Sequence, residues 1–203
     1  FDPTDWKFTV NIFLDPLFFR RYTEGSPKVI TDFAAGIPQS DWDKLEKPEF
    51  VGINVYQGDP ILEDGSKAPI PAGYPLTAIK WKITPEVMHY GILSVYQRYA
   101  CPIYITENGL SCNDKIYLDG AVHDADRIDF LTRYLRELSK AVEDGVDLRG
   151  YLQWSFLDNF EWSSGYSERF GIVYVDYATG TRTPKDSARW YKQLIESNGE
   201  ILK

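Results

Sequence analysis

The chain has 203 residues, a net charge of −8, 43% apolar and 15% aromatic residues, with a sequence pI near 4.8. That much apolar and aromatic material excludes disorder, and the acidic balance argues against nucleic acid or an anionic membrane as partner. No apolar run approaches the roughly 18 residues of a spanning helix. The 2 cysteines, Cys101 and Cys112, make no disulfide framework and point to a reducing, cytoplasmic compartment. The opening Phe1-Asp2-Pro3-Thr4-Asp5-Trp6 shows neither an initiator Met nor a signal-peptide pattern, which is expected of a processed or shortened chain.

In chain order, Trp6, Val10, Phe13 or Leu14 and Leu17 have helical spacing within Asp5–Tyr22, interrupted at Asp15-Pro16. Gly25 to Pro48 reads as turns, with Pro27, Gly36, Pro38 and Pro48 as punctuation. Phe50 to Tyr56 reads as a strand buried on both faces, followed by a Gly/Pro-rich loop to about Ile83. Thr84-Pro85-Glu86 predicts a helix start, with Val87, Ile92, Val95 and Tyr99 turned inward. Pro102 to Thr106 is a second strand, leading into Glu107-Asn108-Gly109.

Asp124 is placed to cap a helix whose inward positions are Ile128, Leu131, Leu135, Leu138 and Val142, stopped by Gly145. Arg133, Arg136 and Lys140 read as its solvated face. A third strand covers Gly150 to Phe156, and Phe170 to Val175 is expected to pair in a hairpin. Thr183-Pro184 predicts the start of a last helix that Gly199 ends. No linker divides the chain, so 1–203 is expected to form a single domain. Strands alternating with helices predict an α/β fold with a parallel sheet. Three such apolar strands leave two open edges, so the sheet is expected to be completed by another chain or to be part of something larger.

Polar residues gather after each strand: Asn54 and Tyr56, then Glu107 and Asn108, then Trp154 through Trp162. In α/β folds, ligands bind at the carboxyl ends of strands, so these groups are expected to share one pocket. A carboxylate after a strand is usually a loop residue or a cap. Glu107, which ends a strand and is followed by a glycine that permits a sharp turn, is also a candidate functional carboxylate. Trp154, Phe156, Phe160, Trp162 and Phe170 offer flat apolar faces to sugar rings, while Gln153, Asp158, Asn159 and Glu161 can bond hydroxyls. Core packing is the plainer reading for Phe156 and Phe160. From the residues alone, Glu107 and Glu161 are the two carboxylates of a glycoside hydrolysis, one nucleophile and one general acid. His89 and His123 have no metal-site spacing, the cysteines no nucleophile motif, and no phosphate-cradling glycine loop occurs, so no cofactor and no metal are expected.

Tyr104-Ile105-Thr106-Glu107-Asn108-Gly109 and Trp154-Ser155-Phe156-Leu157-Asp158-Asn159-Phe160-Glu161-Trp162 resemble glycoside hydrolase family 1. Phe13 to Leu17, Gly52 to Tyr56, Gly165 to Gly171 and Thr183 to Ser187 extend the resemblance along the chain in family order. It implies the C-terminal portion of a (β/α)8 TIM barrel, about strands six to eight, and a retaining β-glucosidase or β-galactosidase. Glu107 would then be the nucleophile and Glu161 a hydroxyl-binding residue, not the acid. Trp154 would be the sugar platform, Trp162 a hydroxyl-bonding indole, and Phe170 an aromatic lining the site. Tyr56, two residues after Asn54, would hydrogen-bond the nucleophile, which favours an ionised carboxylate.

The resemblance also exposes a departure. The family's acid/base glutamate lies in a T-x-N-E-P motif, and no N-E-P occurs in this chain. The isolated chain is therefore expected to be inactive or weak. Expected partners are a β-glucoside or oligosaccharide substrate, with self-association or complementation by an N-terminal barrel fragment. The alternative reading is a non-catalytic carbohydrate-binding or barrel-fragment assembly module.

Overall fold

The computed structural model describes residues 10–203, so Trp6 and the start of the first expected helix lie outside the described residues. The described chain falls into two compact units, 10–51 with 59–70, and 52–58 with 71–203.

In the first unit, α1 (Ile12–Phe19) is one helix with Pro16 inside it. Buried Asp15 accepts a 2.8 Å bond from the Thr23 hydroxyl. The stretch read as turns contains two short helices, α2 (Lys28–Ala35) and α3 (Gln39–Trp42). The prolines that suggested turns precede them: Pro27 and Pro38 occupy the cap positions, and Gly36 ends α2. A proline there costs nothing, because its missing N–H would have had no helical partner.

From Gly52 onward the second unit carries a three-stranded sheet in the order β1 (Val51–Asn54), β2 (Ile103–Asn108), β3 (Leu148–Gln153). β2 and β3 pair in parallel, Ile103 opposite Leu148 and Asn108 opposite Gln153, with an irregularity between Ile105 and Asn108. β1 is not buried on both faces as expected. Val51 is buried, but Gly52 and Asn54 are exposed. Helices α4 (Val87–Tyr99) and α5 (Ala125–Glu143) pack on each other. Met88, Ile92, Val95, Ile103, Ile105, Phe130, Leu131 and Leu138 are buried, each worth about 1.5–3 kcal/mol for a large aliphatic or aromatic side chain.

Both inward faces differ in detail from expectation. In α4 the first buried position is Met88, not Val87. In α5 the buried face comprises Arg127, Phe130, Leu131, Tyr134, Leu135, Leu138 and Ala141, leaving Val142 exposed and Ile128 intermediate. An apolar stripe cannot reveal a buried Arg127, which shifts the face toward 127 and 134. Asp124 holds the N-cap position of α5 as expected, but neither it nor Thr84 makes a side-chain capping bond. The Thr84 hydroxyl accepts from the Gly58 N–H instead, and Asp124 engages Arg127 and Ser187.

After β3, β4 (Val173–Val175) and β5 (Arg182–Pro184) form an antiparallel hairpin, so Thr183-Pro184 ends a strand where a helix start was expected. The last helix, α6, runs Asp186–Glu196. Phe156 and Phe160, read as core, are 69% and 57% exposed.

Candidate active site

The strand ends are stitched together by Asn108. Its amide donates to the Val55 carbonyl at 2.7 Å and its oxygen accepts the Tyr151 hydroxyl at 2.7 Å. The Val55 N–H donates to the Glu107 carbonyl at 2.8 Å, and the Trp154 N–H to the Asn108 carbonyl at 2.8 Å. Side chains two apart on an extended chain share a face. Asn54 and Tyr56 accordingly meet successive residues of β2. Thr106 Oγ1 donates to Asn54 Oδ1 at 2.7 Å, and the Tyr56 hydroxyl donates to Glu107 Oε2 at 2.7 Å. Consecutive residues can meet one face only where the pleat is broken, and the irregularity between Ile105 and Asn108 lies there.

Tyr56 is held on every side. Its backbone carbonyl accepts the Tyr134 hydroxyl at 3.0 Å, and its ring meets Trp81 edge-on at 5.0 Å and Phe170 at 6.2 Å. Trp81 and Phe170 are themselves 5.9 Å apart. Burial first, then the bond to Glu107 and the charges of Glu107 and Glu161, push the Tyr56 phenol well above its ordinary range. It therefore remains a proton donor to Glu107 at any ordinary pH.

Glu161 sits on the segment after β3, where its N–H donates to the Gly165 carbonyl at 2.6 Å. Burial raises its carboxyl above the usual range, a side-chain bond from Trp154 opposes that rise, and the charges of Glu107 and Glu168 reinforce it. Trp154 and Glu161 are thus partners, with Glu107 in electrostatic reach. The Trp154–Ser155 peptide is cis. Phe170 is buried, whereas Trp162 is 81% exposed on a 3-10 turn (Trp162–Ser164).

Of the side chains considered for hydroxyl binding, the amide nitrogens of Gln153 and Asn159 and the carboxylate of Asp158 are engaged within the protein, while Gln153 Oε1 has no partner among the described residues. Gln153 donates to the Trp154 and Phe170 carbonyls, and Asn159 donates to the Ser155 hydroxyl and the Leu157 carbonyl. Asp158 is buried and accepts from Arg169 and Lys185. Of that group, Glu161 is the one whose carboxylate is left near the surface of the site. Sequence reasoning did not single out Trp81 or Tyr134. Trp81 lies in an irregular loop with no motif around it, and Tyr134 reads as an ordinary member of a helix face.

A strand-end carboxylate is thus held by a tyrosine, and a second carboxylate, bonded to a tryptophan, lies within its electrostatic reach. Comparison with known proteins gives the family and the fold, part of a (β/α)8 barrel. Residues 3–200 match the model described as glycosyl hydrolase family 1, and the chain belongs to that family. It is 41% identical over 199 residues to "Beta-glucosidase A" of Thermotoga maritima, covering 93% of this chain and 44% of the relative. It is 37% identical over 210 residues to the "Bifunctional beta-D-glucosidase/beta-D-fucosidase" of Bifidobacterium breve, covering 91% and 45%. The solved structure of the Thermotoga maritima beta-glucosidase in complex with castanospermine superposes with a TM-score of 0.79 at 39% identity, covering 93% of this chain and 44% of that one. The chain therefore spans less than half the length of these relatives. Among the described residues, no helix is long and apolar enough to cross a membrane.

Proposed function

We propose that this chain is the C-terminal portion, about strands six to eight, of a retaining β-glycosidase that releases terminal β-D-glucosyl or β-galactosyl residues. In the complete enzyme Glu107 attacks the anomeric carbon, the bond to the leaving oxygen breaks, and a glycosyl ester forms on Glu107. A glutamic acid outside this sequence protonates the leaving oxygen, and water then hydrolyses the ester with that residue acting as base. Tyr56 donates to the carboxylate and orients it for attack. Trp154 stacks under the sugar, Glu161 and the Trp162 indole bond its hydroxyls, Phe170 lines the site, and Asn54 is a further substrate-binding residue.

The observation that carries this reading is the 2.7 Å bond from Tyr56 to Glu107, made from two different strand ends. The names of the relatives support the substrate class. The absence of an N-E-P triplet supports a chain that is inactive or weak alone. The sheet order leaves β1 and β3 at its edges, where an N-terminal barrel fragment would pair. Two free cysteines are in keeping with a reducing, cytoplasmic setting.

Release of nitrophenol from an aryl β-glucoside tests the reading. The chain alone is expected to show negligible turnover. Co-refolding with the N-terminal half of a family member should restore it, and Glu107→Gln should abolish it in the mixture. Full turnover by the chain alone, or activity surviving Glu107→Gln, contradicts the assignment. The exposed Trp162 favours one further reading, a module that binds sugars without cleaving them. Tryptophan fluorescence on titration with a β-glucoside distinguishes it from a chain with no formed site.

A further inference from the structure

Behind the site lies a group of charged side chains that the proposed chemistry does not use. Three cations, Arg127, Arg169 and Lys185, face three carboxylates, Asp114, Asp124 and Asp158. Lys185 Nζ donates to Asp114 Oδ2 at 2.5 Å and to Asp158 Oδ1 at 2.8 Å. Asp158 also accepts from Arg169 Nη1 at 2.6 Å and from the Gly171 N–H at 3.0 Å. Arg127 donates to Asp114 at 2.7 Å, to the Arg169 carbonyl at 2.8 Å and to the Leu110 carbonyl at 3.3 Å, and it also bonds Asp124. The side chains of Lys185, Arg127, Asp124 and Asp158 have no exposed surface.

Such a group is a poor device for stability alone. Burying six charges costs desolvation that mutual attraction barely offsets, and apolar replacements of the same volume often do as well. What it supplies is a fixed geometry between segments distant in sequence. Asp114 follows the strand that carries Glu107, and Asp158 lies between Trp154 and Glu161. Arg169 and Gly171 flank Phe170. Lys185 joins the first of these segments to the second directly, and Arg127 joins the first to the third.

We propose that Lys185 is a positioning residue: by bridging Asp114 and Asp158 it sets the segment bearing Trp154, Glu161 and Phe170 against the strand end bearing Glu107. The functional meaning of that placement rests on the sugar-site reading above; the clamp itself does not.

The test uses the full chain and two variants, Lys185→Met and Lys185→Arg, followed by hydrogen-exchange mass spectrometry. Lys185→Met leaves the buried group one positive charge short, although Asp114 keeps Arg127 and Asp158 keeps Arg169, and a local opening equilibrium is expected to rise by about tenfold or more. Exchange in 108–114 and 154–171 is expected to rise by about that factor, while the amides of α4 and α5 keep their parent rates. Lys185→Arg should recover much of the protection. If Lys185→Met does not fold, the charge-balanced pair Lys185→Met with Asp158→Asn takes its place, and the same selective loosening is expected.

Parent-like exchange in both segments, or a uniform rise that includes α4 and α5, overturns the clamp. A second readout is the rate at which an activated 2-deoxy-2-fluoroglucoside labels Glu107. A slower rate in Lys185→Met, recovered in Lys185→Arg, is the expected result. If the parent chain is not labelled at all, the sugar-site reading fails and the exchange data still decide the clamp.

Discussion

The carbonyl oxygen of Trp154 lies 1.8 Å from where a β-carbon on Gly109 would stand, and the carbonyl carbon 2.9 Å from it. The turn after the strand that carries Glu107 and the start of the segment that carries Trp154 are therefore in backbone contact. No side chain of any kind fits between them. Gly109→Ala must push one backbone away from the other, at a cost of about 3 kcal/mol. For a chain of this size that lowers the melting temperature by about 6–12 °C, measurable by circular dichroism.

Tyr134 makes a related prediction for the other side of the site. Its hydroxyl accepts from the Thr84 N–H at 2.9 Å and donates to the Tyr56 carbonyl at 3.0 Å. Tyr134→Phe keeps the ring stacked on Phe130, 3.8 Å between centroids, but strips both partners of their bond. Chemical denaturation is expected to show a loss of about 1–3 kcal/mol. A loss near zero would mean that water replaces the hydroxyl without consequence.

The Glu161 carboxyl predicts a pH dependence with a definite sign. Its folded-state pKa is raised above the unfolded value, chiefly by burial, with Glu107 and Glu168 reinforcing. The folded state then binds more protons than the unfolded state, so this group's contribution is lost as pH rises from the unfolded pKa through the folded one. Above that window the ionised carboxylate is a modest liability, since the group is largely solvated. Glu161→Gln is expected to raise the melting temperature slightly at pH 7 and to leave it unchanged at pH 3. The same variant should weaken sugar binding. Equal shifts at both pH values would show that charge is not the cause.

The thiols offer a test of the packing. Cys101 is buried, and burial pushes the Cys112 thiol up to about 12, with Arg127 working against that rise. At pH 8 the thiolate fraction of Cys112 is about one in ten thousand. Neither cysteine should react with a chromogenic disulfide reagent within minutes in the native chain, and both should react at once in guanidinium. Rapid native reaction of either thiol would contradict the packing around α4 or the loop after β2.

How far the sequence reaches can be judged from particular residues. The pairing of Tyr56 with Glu107 and the three strands are legible in the sequence, because strand periodicity and the family motifs coincide there. Phe156 and Phe160 mislead, since an aromatic within a polar-rich segment reads the same whether it faces the core or solvent. Asp158 and Asn159 misled in the opposite way. Their polarity suggested ligand binding, yet Lys185, Arg169 and Ser155 take their bonds from 4 to 27 positions away. Arg127 was invisible for the same reason: what permits its burial is a set of carboxylates that only the fold assembles. Trp81 sits in an irregular loop, and nothing local marks its approach to Tyr56.

The most direct test of the account is the identity of the group that a mechanism-based sugar labels. The full chain would be incubated with a 2-deoxy-2-fluoro-β-glucoside carrying a dinitrophenyl leaving group, which departs without an acid, and then digested for mass spectrometry. The account predicts slow addition of one fluoroglucosyl group to the peptide containing Glu107, absent in Glu107→Gln and slower still in Tyr56→Phe. Labelling of Glu161 or of another carboxylate, with Glu107 left untouched, would contradict it.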